Sequence, residues 1–181
     1  MPTHAALMPR EPTPRLDLPL LDGGSWSLND QKPSNFTLVV FYRGLHCPIC
    51  SAYIKDLNRR VADFAERGVG IVVASTDTRE RAQSAWDDWR LDQLQVGYGM
   101  SLETARTWGL YVSTGRGKTS IGIEEPEQFS EPGVFLVRPD QTLYYAAYQT
   151  MPFARPSFAD LLKAVDFAIE KDYPARGEVP A

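Results

Sequence analysis

The chain has 181 residues, enough for one domain with a sizeable core, and its 43% apolar and 23% charged residues are ordinary for a globular protein. Its net charge of −4, with no basic block or stripe, excludes the electrostatic footprint of a nucleic-acid binder. No apolar run approaches the ~18 residues of a membrane-spanning helix, so no membrane partner is expected.

Met1 to Arg15 holds four prolines and no continuous apolar segment. It reads as a flexible arm over 1–15 rather than a secretory signal. The expected compartment is then the reducing cytoplasm, where a Cys-x-x-Cys pair points to catalysis more than to structure. Leu16 to Leu28 predicts a short hairpin turning at Asp22-Gly23-Gly24.

Thr37-Leu38-Val39-Val40-Phe41-Tyr42 is an apolar, β-branched run of the kind that forms a buried strand. It leads through Arg43-Gly44-Leu45-His46 into Cys47-Pro48-Ile49-Cys50, which contains both cysteines of the chain. Ile54, Leu57, Val61, Phe64 and Ala65 follow at helical spacing, and Cys50 falls on their face, four residues before Ile54. Pro48 suits the first helical position, where its missing N–H has no partner to lose. Cys47 is therefore expected at the exposed, positive end of a helix that runs to a cap near Gly68, with Cys50 one turn deeper. A helix start favours the thiolate at Cys47. A second thiol one turn away can attack a mixed disulfide or sulfenic acid formed on the first. Arg43 is a candidate extra cation and His46 a sequence neighbour, though either also reads as a solvated loop side chain.

Other readings of the pair are weaker. Structural zinc takes about four ligands, and only His4 and His46 accompany the cysteines, so no metal is expected. Free cysteines can be inert core residues, but the strand–Cys-x-x-Cys–helix context argues otherwise. A static disulfide closing so short a loop would stabilise little.

Val69 to Ser75 predicts a second buried strand, making a right-handed βαβ unit with parallel strands. Thr78 to Arg90 predicts a helix capped by Asp77 or Thr78, with Trp86 and Trp89 toward the sheet. Gln95 to Gly99 reads as a short strand and Leu102 to Trp108 as a short helix. Tyr111 to Ser130 is irregular and reads as a mobile loop near the active site. Its Gly115-Arg116-Gly117-Lys118-Thr119 resembles a phosphate loop only superficially, because Val112 stands where the first glycine is required. Val134 to Val137 and Leu143 to Tyr148 predict an antiparallel pair, joined by the turn residues Arg138-Pro139-Asp140-Gln141. Ser157 caps a last helix carrying Phe158, Leu161, Leu162, Val165 and Ile169, and 174–181 is a loosely held tail. One domain, 16–173, results.

This order of elements resembles the thioredoxin fold: an α/β architecture with a central mixed sheet, flanking helices and here an N-terminal hairpin extension. Phe41-Tyr42-Arg43-Gly44 running into Cys47-Pro48-Ile49-Cys50 is similar to the peroxiredoxin-like branch of the alkyl hydroperoxide reductase/thiol-specific antioxidant family. Met151-Pro152-Phe153-Ala154-Arg155-Pro156 and Asp172-Tyr173-Pro174-Ala175-Arg176-Gly177 also resemble that branch. The resemblance implies Cys47 as nucleophile, Cys50 as resolving thiol, and Pro132 as a cis-proline facing the pair. The Pro-x-x-x-Thr-x-x-Cys pattern of typical peroxiredoxins has Val40 and Gly44 at its first two positions here. Their peroxide-assisting arginine has no counterpart near Glu131-Pro132, which leaves Arg43 as the candidate substitute.

The leading expectation is a cofactor-independent thiol–disulfide oxidoreductase. Thiol-dependent peroxidase is the close alternative, and a redox-sensing binding module the reading from another class. The expected partners are a thiol/disulfide protein substrate or a small hydroperoxide, and an external thiol reductant. No signal in the chain specifies an oligomeric state.

Overall fold

The computed structural model describes residues 4–180. Asp17–Pro19 (β1) and Ser25–Ser27 (β2) pair antiparallel, forming the hairpin expected from the Asp22-Gly23-Gly24 turn. Phe36–Phe41 (β3) follows, buried along its whole length. Pro48–Arg59 (α1) and Val61–Glu66 (α2) lead to Val69–Ala74 (β4), which lies parallel to β3. Arg79–Trp89 (α3) is capped by the Thr78 hydroxyl and delivers the chain to Gln95–Gly97 (β5), parallel to β4. Leu102–Thr107 (α4), Val112–Thr114 (β6) and Gln128–Ser130 (β7) come next. Gly133–Val137 (β8) runs antiparallel to β3, Leu143–Tyr148 (β9) antiparallel to β8, and Phe158–Glu170 (α5) closes the order behind its Ser157 cap.

The main sheet has the order β5-β4-β3-β8-β9. This is the expected α/β arrangement, a mixed sheet flanked by helices with a hairpin extension. Alternation along β3 divides the core into two layers. Leu38 and Val40 join Cys47, Cys50, Ile54, Leu57 and Phe158 on one side. Val39 and Phe41 join Trp26, Trp108 and Phe135 on the other. The active-site helix therefore packs on the same face as α5, opposite the N-terminal hairpin.

Three segments differ from expectation. The helix after the cysteines is two helices, because the backbone tightens at Arg60, whose N–H donates to the Leu57 carbonyl. Gly68 still ends the pair, at φ +68, with no room for a Cβ beside Ser34. The segment 111–130, read as an irregular loop, contains an antiparallel ladder between β6 and β7 and a further bridge from Lys118 to Glu124. Its strands are three residues each, too short to show a period. The Glu131–Pro132 peptide is trans, since no described peptide bond is cis. Here the chain runs from β7 almost directly into β8. The Glu131 N–H donates to Tyr111 and the Pro132 carbonyl accepts from Gln149, so the segment stays extended and hydrogen-bonded on both sides. The trans isomer, intrinsically preferred, suits that path.

The ends are also engaged. In the stretch read as an arm, Arg10 N–H donates to the Leu143 carbonyl, and Leu143 and Thr13 exchange backbone bonds with Glu11 and Gln141. Arg10 reaches on to the Ala175 carbonyl with Nε at 3.0 Å and Nη2 at 2.8 Å, and Ala175 is buried. Among the described residues no helix is long and apolar enough to cross a membrane.

Candidate active site

The chain leaves β3 through Tyr42 and turns at Gly44. The turn depends on Asp77, at the end of β4. Its buried carboxylate accepts the Leu45 N–H at 2.8 Å and pairs with Arg81 at 3.2 Å. Gly44 has φ +139, and a Cβ there would sit 2.7 Å from Asp77 Oδ1. The position that the peroxiredoxin pattern assigns to threonine thus has no space for a side chain.

Cys47 is the N-cap of α1, and Pro48 occupies the first turn as expected. The Cys50 N–H donates to Cys47 Sγ at 3.2 Å, so the first sulfur does the work of a capping oxygen. Both cysteines are free thiols. The expectation that Cys47 is exposed fails: it is 1% exposed and Cys50 0%. Only Pro48 and Ile49, between them, lie at the surface.

Besides the core layer, the segment after β9 reaches the sulfurs through one side chain, Arg155. Arg155 donates from Nη2 to Cys50 Sγ at 2.9 Å and lies 3.9 Å from Cys47 Sγ. Its Nε holds the Pro152 carbonyl at 2.9 Å, and its guanidinium lies 4.8 Å from the centre of the Tyr53 ring. Tyr53, one turn along α1, donates its hydroxyl to the Pro156 carbonyl at 2.6 Å and stacks on Phe158. Residues 151–155 thus form a strap whose arginine is aimed by helix α1 itself.

Arg155 escaped the sequence reading. It lies 105 residues from Cys50, in a stretch with no periodicity. The signal in the sequence is an arginine held between Pro152 and Pro156, just ahead of the Ser157 cap.

The candidate tuning residues divide. Arg43 is half-buried and pairs with Glu131, Nε to Oε2 at 3.1 Å, with Glu125 at 3.9 Å and its guanidinium over Phe129. Ser113 also donates to Glu131, at 2.7 Å. The late-strand position without an arginine therefore holds a buried carboxylate that retains Arg43. His46 is fully buried rather than solvated, edge-on to Phe129, with Nδ1 3.5 Å from Arg81. Pro132 sits one step beyond the Phe41–Gly133 pair, level with Tyr42 and beside Glu131.

Electrostatics separate the thiols. The Cys50 side chain donates to the Cys47 sulfur, its backbone N–H adds a second bond, and the Arg155 and Arg43 charges add to both. Together they outweigh burial and bring Cys47 down to about 6. Cys50 moves the opposite way, pushed well up by burial, by its bond to Cys47 and by the Cys47 charge, with Arg155 opposing. His46 is lowered to about 4, first by burial and then by the Arg43 charge, and stays neutral near pH 7. The arrangement is a thiolate beside a protonated thiol, with a guanidinium touching the latter.

The sequence model of the AhpC/TSA family matches residues 9–146, most of the chain. The chain belongs to the AhpC/TSA family. It is a thiol-dependent oxidoreductase of peroxiredoxin-like type. No curated protein sequence matches it. Solved structures agree on the fold. A cysteine-to-serine mutant of peroxiredoxin 6 from Arenicola marina is 16% identical, with a TM-score of 0.75 over 92% of this chain and 76% of that one. Peroxidoxin BcpB from Mycobacterium tuberculosis is 19% identical, with a TM-score of 0.69 over 90% and 98%. AhpC from the same organism is 15% identical, with a TM-score of 0.68 over 93% and 96%. At these identities the likeness establishes the thioredoxin-like fold, and the AhpC/TSA assignment rests on the family match.

Proposed function

We propose that this AhpC/TSA protein reduces small hydroperoxides, with Cys47 as nucleophile and Cys50 as resolving thiol. The observation that carries the reading is the capping role of Cys47 Sγ, which collects the Cys50 N–H at 3.2 Å and so favours charge on that sulfur. The Cys47 thiolate attacks the terminal peroxide oxygen; the S–O bond forms, the O–O bond breaks, and the departing alkoxide takes a proton. Cys50 then attacks Cys47 Sγ, the S–S bond forms, and hydroxide leaves as water with the proton Cys50 gives up. An external thiol returns both cysteines to the reduced state. In this scheme Pro48 fixes the helix start, and Arg43 lends positive potential while bound to Glu131. His46 stays neutral, and Pro132 shapes the wall beside Tyr42. Residues 16–173 act as one domain, and the reducing cytoplasm supplies the regenerating thiol.

The second reading, exchange with disulfide substrates, is favoured by the Cys-x-x-Cys spacing at a helix start, with exposed Pro48 and Ile49 between the sulfurs. Stopped-flow oxidation of the reduced protein separates the two. Fast oxidation by hydrogen peroxide and slow oxidation by a model disulfide supports the peroxidase; the reverse order transfers the assignment to disulfide exchange.

A further inference from the structure

We infer that Arg155 is a catalytic residue of the resolving half-reaction, the guanidinium that makes Cys50 able to attack. This rests on the two-cysteine chemistry proposed above, and it holds for either substrate class. The geometry is specific. Arg155 Nη2 lies 2.9 Å from Cys50 Sγ and a full ångström farther from Cys47 Sγ. The guanidinium is held to that position by the Pro152 carbonyl and the Tyr53 ring.

Cys50 sits in the apolar layer between α1 and the sheet, among Ile54, Val40 and Phe158. Taking its proton away there creates a buried charge, which is costly without a partner. The nucleophile does not depend on this one cation: the Cys50 N–H caps it, and Arg43 adds its charge to that of Arg155. Cys50 Sγ has Arg155 as the cation in hydrogen-bond contact with it among the described residues. Arg155 Nη1 is buried without a partner, which leaves its N–H groups free for the group that departs.

The step balances in both cases. With a Cys47 sulfenic acid, the Cys50 thiolate forms the S–S bond, the S–O bond breaks, and hydroxide takes up the proton released by Cys50. With a Cys47 mixed disulfide, the same attack breaks the outer S–S bond, and the leaving thiolate takes that proton. Arg155 stabilises negative charge first on Cys50 Sγ and then on the leaving atom, and is itself unchanged.

The test mixes reduced wild-type, Arg155→Met and Arg155→Lys proteins with hydrogen peroxide or with bis-hydroxyethyl disulfide, a small neutral probe. Acid quenching and mass spectrometry then follow loss of the reduced form, the Cys47 adduct and the internal disulfide separately. Measured well above the Cys47 midpoint, where losing the Arg155 charge still leaves Cys47 ionised, Arg155→Met is expected to form the Cys47 adduct within about threefold of the wild-type rate but to close the disulfide at least about tenfold more slowly, so that the adduct accumulates. Arg155→Lys, which retains the charge without the fork, should recover part of the closure rate. Closure at the wild-type rate in Arg155→Met overturns the inference. So does an equal slowing of both steps, or a slowing of the first step alone, because a loosened strap or a defect at Cys47 would produce those results. Wild-type protein that reacts with neither probe refutes the proposed function instead, a result distinct from all of these.

Discussion

The acidity of Cys47 has a source that sequence reading anticipated in part. A helix start was legible from Pro48 and the Ile54–Leu57 periodicity, and it is there. The dominant contributor, however, is the neighbouring Cys50 thiol, and Arg43 and Arg155 supply charge, while exposure contributes nothing. Reaction of reduced protein with hydrogen peroxide should therefore rise through a midpoint near pH 6 and level off by neutrality. Cys50→Ala should move that midpoint upward, and a wild-type midpoint like that of an ordinary thiol would refute the assignment. Cys50→Ser should leave Cys47 trapped on a disulfide substrate, whereas Cys47→Ser should trap little, as non-reducing mass spectrometry would show. His46 makes a different prediction. Its folded value is lowered to about 4 from 6.5, so between those values the unfolded chain binds the extra proton and stability falls as pH falls. The loss from pH 7 to pH 4 is on the order of 3 kcal/mol from this group alone. Denaturant titrations should show His46→Gln with a shallower slope across that window. Arg155 lay beyond sequence reading for a plain reason: hydrogen-bonding reach across 105 residues leaves no local pattern.

Among the elements, those with a long apolar period were legible and those held by single polar contacts were not. The strand at β3, the parallel β4 and the α5 stripe through Val165 follow from side-chain spacing, whereas Ile169, expected on that stripe, is exposed and Ala168 is buried instead. The β6–β7 ladder and the break at Arg60 follow from backbone bonds between short segments, which composition does not reveal. The cis expectation at Pro132 failed for the same reason, since the path from β7 to β8 is set by bonds to Tyr111 and Gln149. The turn between β3 and α1 is the most constrained of these short segments. Gly44→Ala places a methyl carbon against Asp77 in a backbone region that side chains avoid. It should cost about 2–4 kcal/mol in chemical denaturation and slow peroxide reduction, because the Asp77–Leu45 bond that sets the entry to Cys47 is displaced. A variant of unchanged stability would mean that the turn relaxes freely.

For the molecule as a whole, residues near both ends close over the same edge of the sheet. Arg10 ties backbone along β9 to Ala175 and to Glu178. Arg10→Ala should reduce global stability by no more than about 1 kcal/mol, because the Arg10 and Glu178 side chains remain partly exposed and water screens their pairing. It should nevertheless speed proteolysis after residue 173 severalfold, a local opening that gel analysis separates from global unfolding. Unchanged proteolysis would show the tail held by Ala175 burial alone. The strap of residues 151–155 has a consequence on this scale too. A dithiol this deeply buried should admit reactants by girth. The end of a hydroperoxide is one slim oxygen bearing only hydrogen, while each sulfur of a disulfide carries a substituent on its far side. Hydrogen peroxide is expected to reach the buried sulfurs more readily than a folded protein carrying a disulfide, which needs the Arg155 segment displaced. Oxidation rates across disulfides of increasing bulk would then measure how often the site opens, and the largest should share one ceiling set by the protein rather than by their own chemistry.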